Sequence, residues 1–121
     1  MSANAVPFLL LDVKRAIDFV GDEAGVHIMM PMLAASLSSD VPEILRLLQA
    51  GDVKAANRLL HPLKGFVPVF CVDAVIDQVT AVEVLSKSAA ASEVLPRFAE
   101  ILPTLERLQA ELHAYMQSRG L

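Results

Sequence analysis

The sequence predicts an all-α fold, an antiparallel four-helix bundle with a short additional N-terminal helix. Apolar residues recur every three or four positions over most of the chain, which is the period of a helix with one buried face. Aspartates and glycines stand where such helices would begin and end. The length of 121 residues suits one domain with its own core. We therefore treat residues 1–121 as a single helical bundle domain.

The first predicted helix is short. Pro7 suits the first turn of a helix, because its missing amide hydrogen would be unpaired there anyway. The helix would end at Gly21. Its apolar face consists of Phe8, Leu11, Ile17 and Val20.

A second helix is predicted to start at Asp22, whose carboxylate can cap it. Pro31 lies inside this helix and predicts a kink. Two interpretations remain for residues 38–40, of sequence Ser-Ser-Asp. Either the helix breaks there and another begins near Pro42, or one long helix bends at Pro42 and ends near Gly51.

The third helix is predicted to follow its cap at Asp52. Its end is ambiguous, because residues 66–72 are apolar and β-branched and would suit a buried strand. We prefer a helix, since no second strand pattern lies nearby to accept the hydrogen bonds of a lone strand. The apolar stripe of this helix consists of Val53, Ala56, Leu60, Leu63, Val67 and Phe70.

Two further helices complete the predicted bundle. One runs from Asp73 to about Lys87, and residues 86–92 are the best candidate for a linker. The last helix would stop at Gly120. Its stripe consists of Leu95, Phe98, Ile101, Leu102, Leu105, Leu108, Leu112, Tyr115 and Met116.

Composition excludes several classes of function. The net charge of −4 gives no basic footprint for nucleic acid. No apolar run reaches the roughly 18 residues of a membrane span, and residues 7–11 lack the basic flank of a signal peptide. The single cysteine, Cys71, is compatible with a reducing compartment. We predict a cytoplasmic protein whose 55% hydrophobic residues include a docking face.

No cofactor or metal site is predicted. His27 and His113 show no paired metal-ligand spacing, and Cys71 is expected to pack in the core. The sequence also lacks a glycine-rich phosphate loop, so the chain is not expected to act as a kinase by itself.

The most informative stretch is residues 61–65, His-Pro-Leu-Lys-Gly. At about 100° per residue, His61, Lys64 and Gly65 share the polar face of the third helix. A histidine on that face is a potential nucleophile, and a lysine one turn later supplies positive charge for an anion. The glycine leaves room for the backbone of another protein. The same face also carries Lys54, Asn57 and Arg58.

This stretch resembles the H-x-L-K-G motif of the histidine-containing phosphotransfer (HPt) domains of phosphorelays. The upstream Gly-Asp pair of that family matches Gly51 and Asp52. In some members, a Glu or Gln placed 22 positions after the histidine bonds its other ring nitrogen, and here that residue is Glu83. The resemblance implies a helical bundle that carries a phosphoryl group on His61. The implied site residues are the nucleophile His61, the charge stabiliser Lys64, the orienting residue Glu83, and Gly65, Arg58 and Asn57 for docking.

The sequence departs from the family pattern beside the histidine. Pro62 stands where a small polar residue is usual, and it lacks the amide that would bond the carbonyl of Arg58. Pro68 removes the amide that would bond Lys64. Phe66 and Cys71 replace small residues. We therefore expect a distorted helix near His61.

The predicted function is that of a phosphocarrier rather than a stand-alone enzyme. His61 would accept a phosphoryl group from a receiver-domain aspartate and pass it to another receiver; the partners implied are response-regulator receivers and hybrid histidine kinases. An alternative is a non-catalytic helical module that binds a receiver, a kinase or itself. A third interpretation is a regulatory homodimer in which His61 is incidental. Glu83 is expected within about 2.6–3.2 Å of the His61 ring.

Overall fold

The computed structural model describes residues 8–121, and within this range it contains helices and no strand. The all-helical prediction is therefore confirmed. Pro7, the predicted start of the first helix, lies outside the described residues. The five helices are α1 (Val13–Val20), α2 (Glu23–Gln49), α3 (Val53–Phe70), α4 (Asp73–Leu85) and α5 (Ala91–Ser118).

The helices pack as a bundle. α2 lies against both α3 and α5, α4 lies against α3 and α5, and α1 contacts α2 and α3. Buried apolar side chains from all five helices form one cluster. The predicted stripe of α3 is part of it, because Ala56, Leu60, Leu63, Val67 and Phe70 all lie in the core. The helix period therefore identified the buried face of the helix that carries His61.

α2 is one continuous helix through residues 38–40, so the predicted break there is wrong and the single-helix interpretation is confirmed. The Ser39 hydroxyl donates to the Ala35 carbonyl at 3.0 Å, within the helix, and the Ser38 hydroxyl accepts from Gln109 on α5 at 2.6 Å. Pro42 is exposed, so the carbonyl that loses its amide partner can bond water instead. All the prolines inside the helices are exposed in this way: Pro31, Pro42, Pro62, Pro68, Pro96 and Pro103.

The first helix begins later than predicted. Asp12 caps α1, with its carboxylate accepting from the Arg15 amide at 2.9 Å, so Phe8 and Leu11 do not belong to the helix. Leu11 instead forms an isolated antiparallel bridge with Cys71. The preferred prediction of a helix over residues 66–72 therefore holds through Phe70. Cys71 is extended and pairs with the N-terminal segment.

The N-terminal segment is held by a buried carboxylate. Glu111 on α5 is fully buried and accepts hydrogen bonds from the amides of Leu10 at 3.0 Å and Leu11 at 2.9 Å. Its other oxygen accepts from Arg107 Nε at 2.9 Å. Burial opposes ionisation, but the hydrogen bonds outweigh it and lower the pKa of Glu111 below its ordinary value. This contact fixes residues 10–11 against α5.

The predicted boundaries around the last loop shift by a few residues. α4 begins at Asp73 as predicted but ends at Leu85 rather than Lys87, and α5 begins at Ala91. The linker predicted at 86–92 is therefore the shorter stretch 86–90. None of the described helices combines the length and the hydropathy that crossing a membrane requires.

Candidate functional site

Two neighbouring helices bring the candidate residues together. Asn57, His61 and Lys64 lie one turn apart on one face of α3, and Glu83 lies on α4. The helices are joined by a short turn at Cys71 and Val72, so positions similarly far from the turn lie side by side. His61 and Glu83 are such a pair.

Glu83 is the centre of the cluster. Its side chain is fully buried, and each carboxylate oxygen has its own set of donors. Oε2 lies 3.3 Å from His61 Nδ1 and accepts from Asn57 Nδ2 at 3.1 Å. Oε1 accepts from Lys64 Nζ at 3.1 Å and lies 3.5 Å from Lys87 Nζ. The His61 contact is thus present and slightly longer than the expected range.

The surroundings of Glu83 keep it ionised. Burial alone would raise its pKa, but hydrogen bonds from Lys64, Asn57 and His61, with the positive charge of Lys64, lower the pKa of Glu83 to about 2. An ionised carboxylate only accepts hydrogen bonds. Nδ1 of His61 must therefore carry the proton of the His61–Glu83 contact.

This contact determines which His61 nitrogen is free to react. In a neutral imidazole, a protonated Nδ1 leaves the lone pair on Nε2. The His61 side chain is 65% exposed although its partner Glu83 is not exposed at all. The site therefore presents an oriented imidazole to solvent, with one nitrogen held and the other accessible.

The remaining predicted residues differ in position. Gly65 is exposed, and a Cβ there would meet no atom within 4 Å apart from its chain neighbours and the nearby backbone of its own helix, so the surface beside His61 is open. Arg58 is exposed on α3, and its side chain has no hydrogen bond or ion pair within residues 8–121. The structure thus includes Asn57 in the cluster around Glu83 and leaves Arg58 outside it.

Two contributors were missed by the sequence analysis. Lys87 approaches Glu83 from one turn along the chain, and Ser86 donates to the Glu83 carbonyl at 2.6 Å. They lie three and four positions after Glu83, the spacing that places helical side chains on one face, so this spacing could have indicated both contacts from the sequence. The predicted linker over residues 86–92 includes both of these residues, and linker side chains were not expected to contribute to the site.

Other reactive side chains lie apart from the cluster. Over residues 8–121, no group of three or more His, Cys, Asp or Glu side chains is arranged to hold a metal ion. Burial raises the pKa of the Cys71 thiol to about 12, which suppresses its reactivity. His27 bonds the Tyr115 hydroxyl through Nε2 at 2.9 Å.

Comparison with known proteins identifies no relative: no family model, no curated protein and no solved structure gives a significant match.

The charge of Glu83 should make stability depend on pH. Its pKa is about 2 in the folded protein against an ordinary value of 4.5. The folded state therefore binds this proton less readily, and the stabilisation is complete above about pH 5 and lost as the pH falls toward 2. We expect urea unfolding to show a smaller loss of stability from pH 6 to pH 3 in Glu83→Gln than in the wild type. Equal losses would contradict the assignment. Glu111 gives a contribution of the same sign, so some pH dependence should persist.

Proposed function

We propose that this protein is a phosphocarrier of the HPt type, which accepts a phosphoryl group on His61 and transfers it to a receiver domain. The observation that carries the proposal is the contact of His61 Nδ1 with the buried Glu83 carboxylate, which leaves Nε2 exposed. The resemblance of residues 61–65 to the family motif gives independent support from the sequence.

The transfer is a displacement at phosphorus. Nε2 of His61 attacks the phosphoryl group of a receiver phosphoaspartate, the bond between phosphorus and the aspartate oxygen breaks, and the aspartate leaves as a carboxylate. The proton on Nδ1 stays in contact with Glu83. A second receiver reverses the step with its own aspartate. The receivers supply the aspartates and Mg²⁺, and this chain supplies the oriented imidazole and compensating charge.

The charges around Glu83 suit a phosphoryl group. Lys64 and Lys87 both approach Oε1, so two ammonium groups share one carboxylate. With a neutral His61, these side chains carry a surplus of one positive charge. A phosphoryl group on Nε2 brings up to two negative charges, which the lysines can offset. Lys64 is 29% exposed and Lys87 52%, so both can reposition toward solvent.

The prolines near His61 are compatible with this role. α3 continues without interruption past Pro62 and Pro68 to Phe70. Both prolines are exposed, so the carbonyls of Arg58 and Lys64 that lose an amide partner can bond water. The contact between His61 and Glu83 is present beside these prolines.

The proposal includes the topology of the bundle, the partners and the place where they meet. α2, α3, α4 and α5 would constitute an antiparallel four-helix bundle, with α1 as the short additional helix. The partners would be receiver domains of response regulators or of hybrid histidine kinases, with which the protein would meet in the cytoplasm.

A second candidate function is a non-catalytic interaction module. One observation favours it: Phe19 is 72% exposed, Ile28 is 73% exposed and Met32 is 56% exposed, which gives α1 and α2 apolar surface outside the core. A module of this kind would bind a receiver, a kinase or a second copy of itself, and would do so equally well without His61. Phosphoryl transfer therefore separates the two functions.

The test is incubation with a phosphorylated receiver and Mg²⁺, followed by intact mass measurement under alkaline conditions that preserve phosphohistidine. The phosphocarrier should gain the mass of one phosphoryl group. Stable binding to the phosphorylated receivers tested without any gain would favour the interaction module.

Docking should depend on the open surface at Gly65. We expect Gly65→Arg to lower receiver affinity roughly tenfold or more, because a long side chain then occupies the space beside His61. The fold should remain intact, since arginine has a higher helix propensity than glycine by roughly 0.5–1 kcal/mol. The matched control is Ala99→Arg on the exposed face of α5. Titration calorimetry that gives equal affinities for the two variants would place the interface elsewhere.

A further inference from the structure

The Asn57 side chain joins Glu83 to Ser86. Asn57 Nδ2 donates to Glu83 Oε2 at 3.1 Å and to Ser86 Oγ at 2.8 Å. The Ser86 hydroxyl in turn donates to the Glu83 carbonyl at 2.6 Å, and the side chain of Ser86 is buried. We refer to Asn57 and Ser86 together as the amide–hydroxyl pair.

Side-chain spacing on α3 and at the end of α4 brings the two residues of the pair together. Asn57 and His61 are four positions apart on α3, and Glu83 and Ser86 are three positions apart at the end of α4. Both spacings bring side chains to the same face. Asn57 Nδ2 also donates to the Glu83 carbonyl at 3.4 Å, so the Ser86 hydroxyl and two oxygens of Glu83 together determine the rotation of the carboxamide.

The amide–hydroxyl pair can in turn hold the Glu83 carboxylate in one orientation. The terminal torsion of a glutamate is broad, so the carboxylate rotates easily unless its oxygens are held. Lys64 and Lys87 both act on Oε1, and His61 is the other donor besides Asn57 that contacts Oε2. Asn57 is the closer of the two donors on Oε2, at 3.1 Å against 3.3 Å for His61.

We propose that Asn57 and Ser86 are positioning residues for His61, because they hold Glu83 Oε2 against Nδ1 and so select the imidazole form with a free Nε2. The inference rests on the proposed function, since a free Nε2 is what phosphoryl acceptance requires. Neither residue contacts the reacting nitrogen. They act through Glu83, and Asn57 thereby has a role other than the docking role predicted from the sequence.

The direct test is the tautomer of His61, measured from ring nitrogen chemical shifts by NMR on the full chain at a pH where the imidazole is neutral. The wild type should hold the proton on Nδ1. Ser86→Ala and Asn57→Ala should each raise the fraction of the form protonated on Nε2, and Ser86→Thr should restore the wild-type ratio because it keeps the hydroxyl. The matched control is Ser88→Ala, in the same turn and exposed. A ratio unchanged in both alanine variants would overturn the proposal.

A second measurement separates this inference from the proposed function. Phosphoramidate, a small phosphoryl donor that needs no receiver, should phosphorylate His61 about fivefold more slowly in Ser86→Ala than in Ser88→Ala, which corresponds to one hydrogen bond. Equal rates would count against the positioning role. Phosphorylation of the wild type by phosphoramidate but by no receiver would contradict the proposed phosphorelay function. The positioning role would then be tested by the tautomer ratio of His61 in the Ser86 and Asn57 variants.

Discussion

Replacing His61 with glutamine should abolish phosphorylation by a phosphorylated receiver. The variant retains a polar side chain that can donate to Glu83 Oε2, but it has no ring nitrogen to attack phosphorus. The fold should be retained, because His61 is largely exposed and substitutions on the surface usually change stability by well under about 1 kcal/mol. Alkaline intact mass measurement should show no phosphoryl gain, and acid-labile label should be absent.

The other two histidines provide matched controls for this experiment. His27 bonds Tyr115 through Nε2 and is half-buried, so His27→Gln should retain phosphorylation. The His113 side chain is exposed, has no hydrogen-bond partner among residues 8–121, and should also be dispensable. Full labelling of the His61 variant would end the phosphocarrier interpretation. Loss of labelling in either control with the fold intact would show that a second histidine takes part.

The largest effect on stability is expected from Glu111→Ala. The change leaves the amides of Leu10 and Leu11 without their carboxylate acceptor, removes one acceptor from Arg107, and opens space in the core. Buried donors left unpaired cost about 1–3 kcal/mol each. Arg107 is partly exposed, so water can solvate its guanidinium and its loss of Glu111 adds little. We expect a loss of roughly 3 kcal/mol in the free energy of unfolding, measured by urea titration.

A matched control lies on the same helix. Glu106 is exposed on α5, so Glu106→Ala should change the free energy of unfolding by less than about 0.5 kcal/mol. Phosphorylation of Glu111→Ala should persist under conditions where the variant is folded, because Glu111 is not part of the cluster around Glu83. A stability equal to that of the control would mean that the contacts of Glu111 with the N-terminal segment contribute nothing to stability.

Local sequence patterns predicted much of the fold and the arrangement of the site. The stripe from Ala56 to Phe70 identified the buried face of α3, and hence that His61 lies opposite it. The carboxylates of Asp22 and Asp52 cap α2 and α3 as expected, with bonds to Gly25 and Ala55. Glu83, which the HPt resemblance placed beside His61, lies 3.3 Å from the His61 ring. Each of these features depends on short-range geometry.

The missed features depend on contacts that are distant in sequence. Glu111 binds an amide 100 positions away, and no local pattern identifies that partner. The bridge between Leu11 and Cys71 also joins residues far apart in sequence, and it includes Leu11, which the sequence had placed in the first helix. One signal was available: both Glu83 and Glu111 are acidic residues set among buried positions of a helix, which indicates a carboxylate that needs donors in the core.

The most direct test of the central claim is the position of the phosphoryl group on the imidazole. Phosphorus and ring-nitrogen NMR of the protein, phosphorylated by a receiver, can assign the bond to one nitrogen of one histidine. The arrangement of His61 and Glu83 predicts phosphorus on Nε2 of His61, with the proton retained on Nδ1 facing Glu83. A phosphoryl group on Nδ1, or on any other residue, would contradict the role assigned to the Glu83 contact.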